Sequence, residues 1–194
     1  MMASNSSKRR KIGSVYSLSD VLQGGILEEV AKFLTPSSRI LFAMTVAPPS
    51  SAEAATARDG RFIADDNWDT LDFGDFEKEL AAKLTDDHIS KMLRHIDAAN
   101  NLKRLRLTNC VNITGAGLAP LQNSTLIEQI DLGLARPCQR QELESAPALS
   151  CDAVLPILQS IIRLEGNSLK HLQFPYEWRC IEPKDPHFHE FLVE

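Results

Sequence analysis

The chain is predicted to be an α/β protein: a short, curved solenoid of strand–helix repeats behind a small helical module. Three observations predict this. Four segments share one apolar template: Trp68-x-x-Leu71-x-Phe73, Leu102-x-x-Leu105-x-Leu107, Ile127-x-x-Ile130-x-Leu132 and Leu169-x-x-Leu172-x-Phe174. The stretches between them return to helical spacing behind hydroxyl or acidic caps. Ahead of the first template lies a separate run of helical patterning, followed by a small, polar, Pro-containing stretch.

The chain has 194 residues, enough to hide roughly 70% of its unfolded surface in a core. Its net charge is −5. That argues against nucleic-acid binding as the main task, because neutralising phosphates requires a basic face. The four cysteines, Cys110, Cys138, Cys151 and Cys180, form no C-x-x-C or Cys/His ligand spacing, so no zinc site is expected. No apolar run approaches the ~20 residues needed to cross a bilayer, and no secretory signal is visible. The expected setting is cytoplasmic or nuclear, with reduced thiols.

Residues 1–13 read as a disordered basic tail carrying Lys8-Arg9-Arg10-Lys11. A solvated tail, a nuclear import signal and a transit peptide are the candidate readings. The single tight block fits the last of these least. Residues 14–46 form the helical module. Ser17-x-x-Asp20 resembles a capping box, and Gly24-Gly25 interrupts the first helix. Ile26, Leu27, Val30, Ala31, Phe33 and Leu34 make one apolar face. Thr35-Pro36 is a helix start, with Thr as N-cap and Pro at the first helical position. Pro48-Pro49 stops that helix. Three short helices make too small a core to stand alone, so the module is expected to lean on the repeats or on a partner. Residues 47–66 read as a linker.

The repeats occupy residues 67–180. After the first template, Phe76, Leu80 and Leu84 predict one face of a helix over 75–84. Thr85-Asp86-Asp87 then caps a second helix, with its acids where the helix dipole favours them, and Ile89, Met92, Leu93 and Ile96 point inward. Thr85-x-Asp87-x-Ile89-x-x-Met92-Leu93 matches Ser150-x-Asp152-x-Val154-x-x-Ile157-Leu158, with a shorter echo in Thr114-x-x-x-Leu118-x-x-Leu121. The templates are unevenly spaced, so insertions are expected, the largest over 133–148. Residues 181–194 form a C-terminal cap or tail. An ordinary parallel α/β domain is the alternative to the solenoid.

The template is the strand signature of a leucine-rich repeat. The run from Leu102 to Leu132 resembles the cysteine-containing subtype, with Leu102, Leu105, Leu107, Cys110, Ile113, Thr114, Gly117 and Leu118 on its pattern. The other three repeats lack the cysteine. In such arrays the strand face binds another macromolecule. The outward strand residues here are Thr70 and Asp72; Arg104, Arg106 and Thr108; Gln129 and Asp131; His171 and Gln173. Arg104 and Arg106 are the expected anchors, since arginine pairs carboxylates or phosphates bidentately.

Residues 15–49 resemble an F-box, although Leu18-Ser19 stands where the family usually has Leu-Pro. This resemblance implies a substrate receptor of a cullin-based ubiquitin ligase. Leu18, Leu22, Ile26, Leu27, Val30, Phe33 and Leu34 would dock on a Skp-type adaptor, and the repeats would hold a protein substrate. The other reading is a repeat scaffold that binds a protein with no ligase link. Enzyme motifs are poor: Gly115-Ala116-Gly117 has Pro120 at the third glycine position, and His187-x-His189 lacks a third metal ligand. No catalytic residue, metal or cofactor is expected.

Overall fold

The computed structural model describes residues 29–46, 68–133, 149–175, 178 and 191. The basic tail, residues 14–28 of the helical module, the linker and most of the large insertion and C-terminal tail lie outside them.

Four short strands form one parallel sheet: β1 (Thr70–Asp72), β2 (Arg104–Arg106), β3 (Gln129–Asp131) and β4 (His171–Gln173). Their order in the sheet is their order in the chain. Each strand is the centre of one apolar template, and the register keeps the templates aligned. Leu71 pairs with Leu105, Leu105 with Ile130, and Ile130 with Leu172. Successive side chains point to opposite faces of a strand, so this central row faces the core and its neighbours face out. Leu71, Leu105 and Ile130 are buried. Leu172, on the last strand, is only partly covered.

One backbone arrangement recurs at all three junctions. The carbonyl just before each strand accepts two N–H groups from the next template. Asp69 receives Lys103 and Arg104 at 3.0 and 2.8 Å, Lys103 receives Glu128 and Gln129 at 2.7 and 3.0 Å, and Glu128 receives Lys170 and His171 at 2.8 and 3.0 Å. The three strand junctions therefore share one backbone geometry.

Helices and short 3-10 turns fill the connections. α1 (Pro36–Val46) precedes the sheet. Between β1 and β2 come α2 (Lys78–Ala81), α3 (Asp86–His95) and α4 (Ala98–Asn101). A 3-10 turn (Ala116–Leu121) joins β2 to β3, and α5 (Cys151–Ile162) precedes β4. The expected inward faces are present. Ile89, Met92, Leu93 and Ile96 are buried behind Thr85, as are Leu118 and Leu121, and Val154, Ile157 and Leu158. At α3 the capping box uses a histidine: the Thr85 N–H donates to His88 Nδ1 at 3.2 Å.

The 75–84 segment differs from its expected helix. It forms a 3-10 turn at Phe73–Asp75 and then only one helical turn. The Glu77 carbonyl accepts both Leu80 and Ala81 N–H. Helix α2 therefore begins late, and Ala81 rather than Leu80 turns inward; Leu80 stays 42% exposed. Phe76 and Leu84 are buried as expected.

α1 starts where Thr35-Pro36 predicts, with the Ser38 N–H donating to Thr35 Oγ1 at 3.3 Å. The helix lies against the β1 end of the sheet. Ser37 is fully buried and donates to the Asp72 carbonyl at 2.8 Å. Ile40 is fully buried in the common core, and Leu41 and Met44 pack beside it. The other end of the sheet is covered by aromatic residues. Trp178 is 9% exposed and donates from Nε1 to the Leu149 carbonyl at 3.2 Å. Phe174 lies tilted against it, ring centroids 6.0 Å apart, and meets Phe191 edge-on at 5.9 Å. Among the described residues no helix is long and apolar enough to cross a membrane.

Candidate functional site: the outward strand face

The register assembles the outward residues into two rows across the sheet. The first is Thr70, Arg104, Gln129 and His171; the second is Asp72, Arg106, Asp131 and Gln173. Every predicted substrate-contacting residue falls in one of them except Thr108, which follows β2.

The second row is already knitted together. Arg106 lies between two carboxylates, with Nη1 2.7 Å from Asp72 Oδ2 and Nε 3.9 Å from Asp131 Oδ2. Asp72 Oδ1 also accepts the Gly74 N–H at 2.8 Å and the Thr108 hydroxyl at 3.2 Å. Asp131 Oδ1 accepts the Gly133 N–H at 2.9 Å. The acids are the covered members: the Asp131 side chain is 7% exposed and that of Asp72 21%, against 43% for Arg106. Covered carboxylates are tolerated because their lone pairs are met by charged or backbone donors.

The first row is different. Arg104 and His171 are exposed. Among the described residues neither side chain has a hydrogen-bond or ion-pair partner. Of the two expected anchors, only Arg104 carries a guanidinium with no partner among the described residues. The lysines beside the row are occupied: Lys103 pairs with Asp69 at 2.9 Å and Lys170 with Glu128 at 3.5 Å.

Of the predicted adaptor-contacting residues, Leu18, Leu22, Ile26 and Leu27 lie outside the described residues. Phe33 is 87% exposed and Val30 is 42% exposed. Leu34 is half-buried. The exposed phenyl ring sits immediately ahead of α1, the helix that is fixed to the sheet.

One polar centre was not foreseen from the sequence. Asp86, read above as a cap charge, turns away from its own helix and gathers the turn after β2. Its Oδ2 accepts the Thr114 N–H at 2.8 Å and the Thr114 hydroxyl at 2.9 Å, and its Oδ1 accepts Gly115 and Gly117 N–H at 3.0 and 2.8 Å. Partial burial works to raise this carboxyl, but the Thr114, Gly117 and Gly115 hydrogen bonds outweigh it and hold the group below the usual carboxylate range. The two glycines are needed here. Gly115 has φ +98°, and a Cβ on Gly117 would lie 2.6 Å from the Asp86 carbonyl oxygen. Thr114-Gly115-x-Gly117 is a turn rich in accessible N–H groups, which is the signal a sequence reading could have used.

Cys110 is buried, and burial together with the Asp72 charge pushes its thiol up to about 12. It is a packing residue, inert as a nucleophile at neutral pH. A cleft of about 420 Å³ lies on the helical side, between Leu93, Arg94, Asp97, Pro120 and Gln122; no strand-face residue lines it. Among the described residues no group of three His, Cys, Asp or Glu side chains is placed to hold a metal ion.

Compared with known proteins, the chain matches no family model, no curated protein and no solved structure.

Proposed function

We propose that this chain is a protein-interaction module of the leucine-rich-repeat solenoid type, acting as a substrate receptor for a cullin-based ubiquitin ligase. The observation that carries the interaction half is the pair of registered polar rows laid over a buried apolar row. A strand face in which every unit repeats one geometry offers an extended, sequence-tunable surface to a macromolecule. Such a receptor needs no chemistry of its own. It raises the effective concentration of its substrate near the ubiquitin-charged enzyme. The ligase half rests on the F-box resemblance and is supported by Phe33 and Val30, whose exposure leaves apolar surface available to an adaptor.

A second reading has its own observation. Ile40 and Ser37 are fully buried against the repeats, which favours α1 as an N-terminal cap of a plain interaction scaffold. Repeat arrays need such covers.

Calorimetric titration of the full chain with a Skp-type adaptor separates the two readings, with a Val30→Ser, Phe33→Ala variant alongside. Both substituted side chains are exposed, so the variant should keep its circular dichroism. Binding by the wild-type chain that the variant loses supports the receptor. No binding by the wild-type chain leaves the scaffold.

A further inference from the structure

We infer that the strand face takes an extended segment of a protein partner through a carboxylate side chain, held by Arg104, and that Arg106 serves as an internal tie. The inference rests on the proposed reading of the strand face as a docking surface and specifies the chemistry of its ligand. Arg104 and Arg106 stand two residues apart on one short strand, yet their surroundings differ. Arg106 donates from Nη1 to Asp72 at 2.7 Å, and its Nε lies within ion-pair distance of Asp131 at 3.9 Å. Using it for a ligand would strip two covered carboxylates of their counter-charge, and an uncompensated buried charge is costly. Arg104 is exposed, and among the described residues its guanidinium has no partner. Binding an acid there breaks no contact among the described residues.

The register extends the site. Arg104 pairs with Gln129, and Gln129 with His171. Adjacent strands lie about 4.8 Å apart, so these three side chains form a straight polar row. A ligand segment lying along it meets a guanidinium at one end and hydrogen-bonding groups at the other.

The electrostatics select the kind of anion. One guanidinium matches one carboxylate in bidentate geometry. A phosphorylated side chain carries close to two charges and is usually met by a cluster of arginines. The second arginine here is already neutralised, and the carboxylates of Asp72 and Asp131 lie in the adjoining row, where they repel a dianion. A singly charged aspartate or glutamate is the better match.

The test is retention of the full chain on immobilised pools of extended peptides. Each pool has one central residue fixed as Glu, Ser, phosphoserine or Arg, and the other positions are randomised. The wild-type chain should be held by the Glu pool about tenfold better than by the Ser pool, the scale of a charge-assisted hydrogen bond. Arg104→Ala should remove that preference and leave the melting temperature unchanged, because among the described residues its guanidinium has no hydrogen-bond or ion-pair partner to lose. Arg106→Ala should lower the melting temperature. A phosphoserine preference over Glu would overturn the inference. So would equal retention on all pools, insensitive to Arg104→Ala. In that case, loss of retention in Gln129→Trp, which obstructs the middle of the row, would still support docking on this face. Failure of every pool to hold the chain would also overturn the inference, while the adaptor titration judges the ligase reading separately.

Discussion

Asp86 shows how one side chain can join two strand–helix units. Its carboxylate accepts four hydrogen bonds from a turn distant in sequence. Asp86→Asn turns one acceptor oxygen into a donor that faces N–H groups. The group is partly exposed, so the expected loss is about 1–2 kcal/mol at neutral pH, measured by urea denaturation. The folded carboxyl is held below its unfolded value, so its contribution is complete above the ordinary aspartate range near ~4 and fades as pH falls through the lower folded value. The gap between wild type and variant should close in strong acid. His95 acts at milder pH. Among the described residues its Nε2 is buried without a hydrogen-bond partner, and burial lowers its pKa. The unfolded chain therefore binds this proton more readily, and wild-type stability should already decline as pH drops below the ordinary histidine value near ~6.5.

At the scale of elements, α1 is the decisive piece. Ile40 sits fully buried in the same core as Leu71 and Leu93, and Ser37 closes the β1 edge with a hydrogen bond to the Asp72 carbonyl. Ile40→Ala should cost about 2–5 kcal/mol in a single cooperative unfolding transition. A loss below about 1 kcal/mol would mean that the helix is not integrated with the sheet. The strands themselves were legible in the sequence, because an apolar residue at the centre of each template must face the core and a parallel register aligns the repeats. The caps at Thr85 and Thr35 were legible for a similar local reason. What stayed hidden depends on long-range pairing. Leu80 was expected inside, but α2 starts only at Lys78, after the 3-10 turn at Phe73–Asp75, and Ala81 takes that place. The acid–base–acid alternation of Asp72, Arg106 and Asp131 was visible, yet only the register shows that the three charges satisfy one another. Asp86 looked like an ordinary first-turn acid because its partners lie on another repeat.

At the scale of the whole molecule, the two ends of the sheet carry different elements, and among the described residues Arg104, His171 and Gln173 stay exposed on the outward face. α1 covers the β1 end with Ile40 and Ser37, and Phe174 and Trp178 lie at the β4 end. Under the proposed reading, the apolar surface at Val30 and Phe33 meets an adaptor while the polar rows stay available for a substrate. That division of labour is the central claim. Amide hydrogen exchange read by mass spectrometry, with and without a Skp-type adaptor, tests it most directly. The account predicts adaptor-induced protection over residues 29–35, with exchange over 104–108, 129–132 and 171–173 unchanged. Protection of the strand segments by the adaptor, or no protection anywhere, would contradict it.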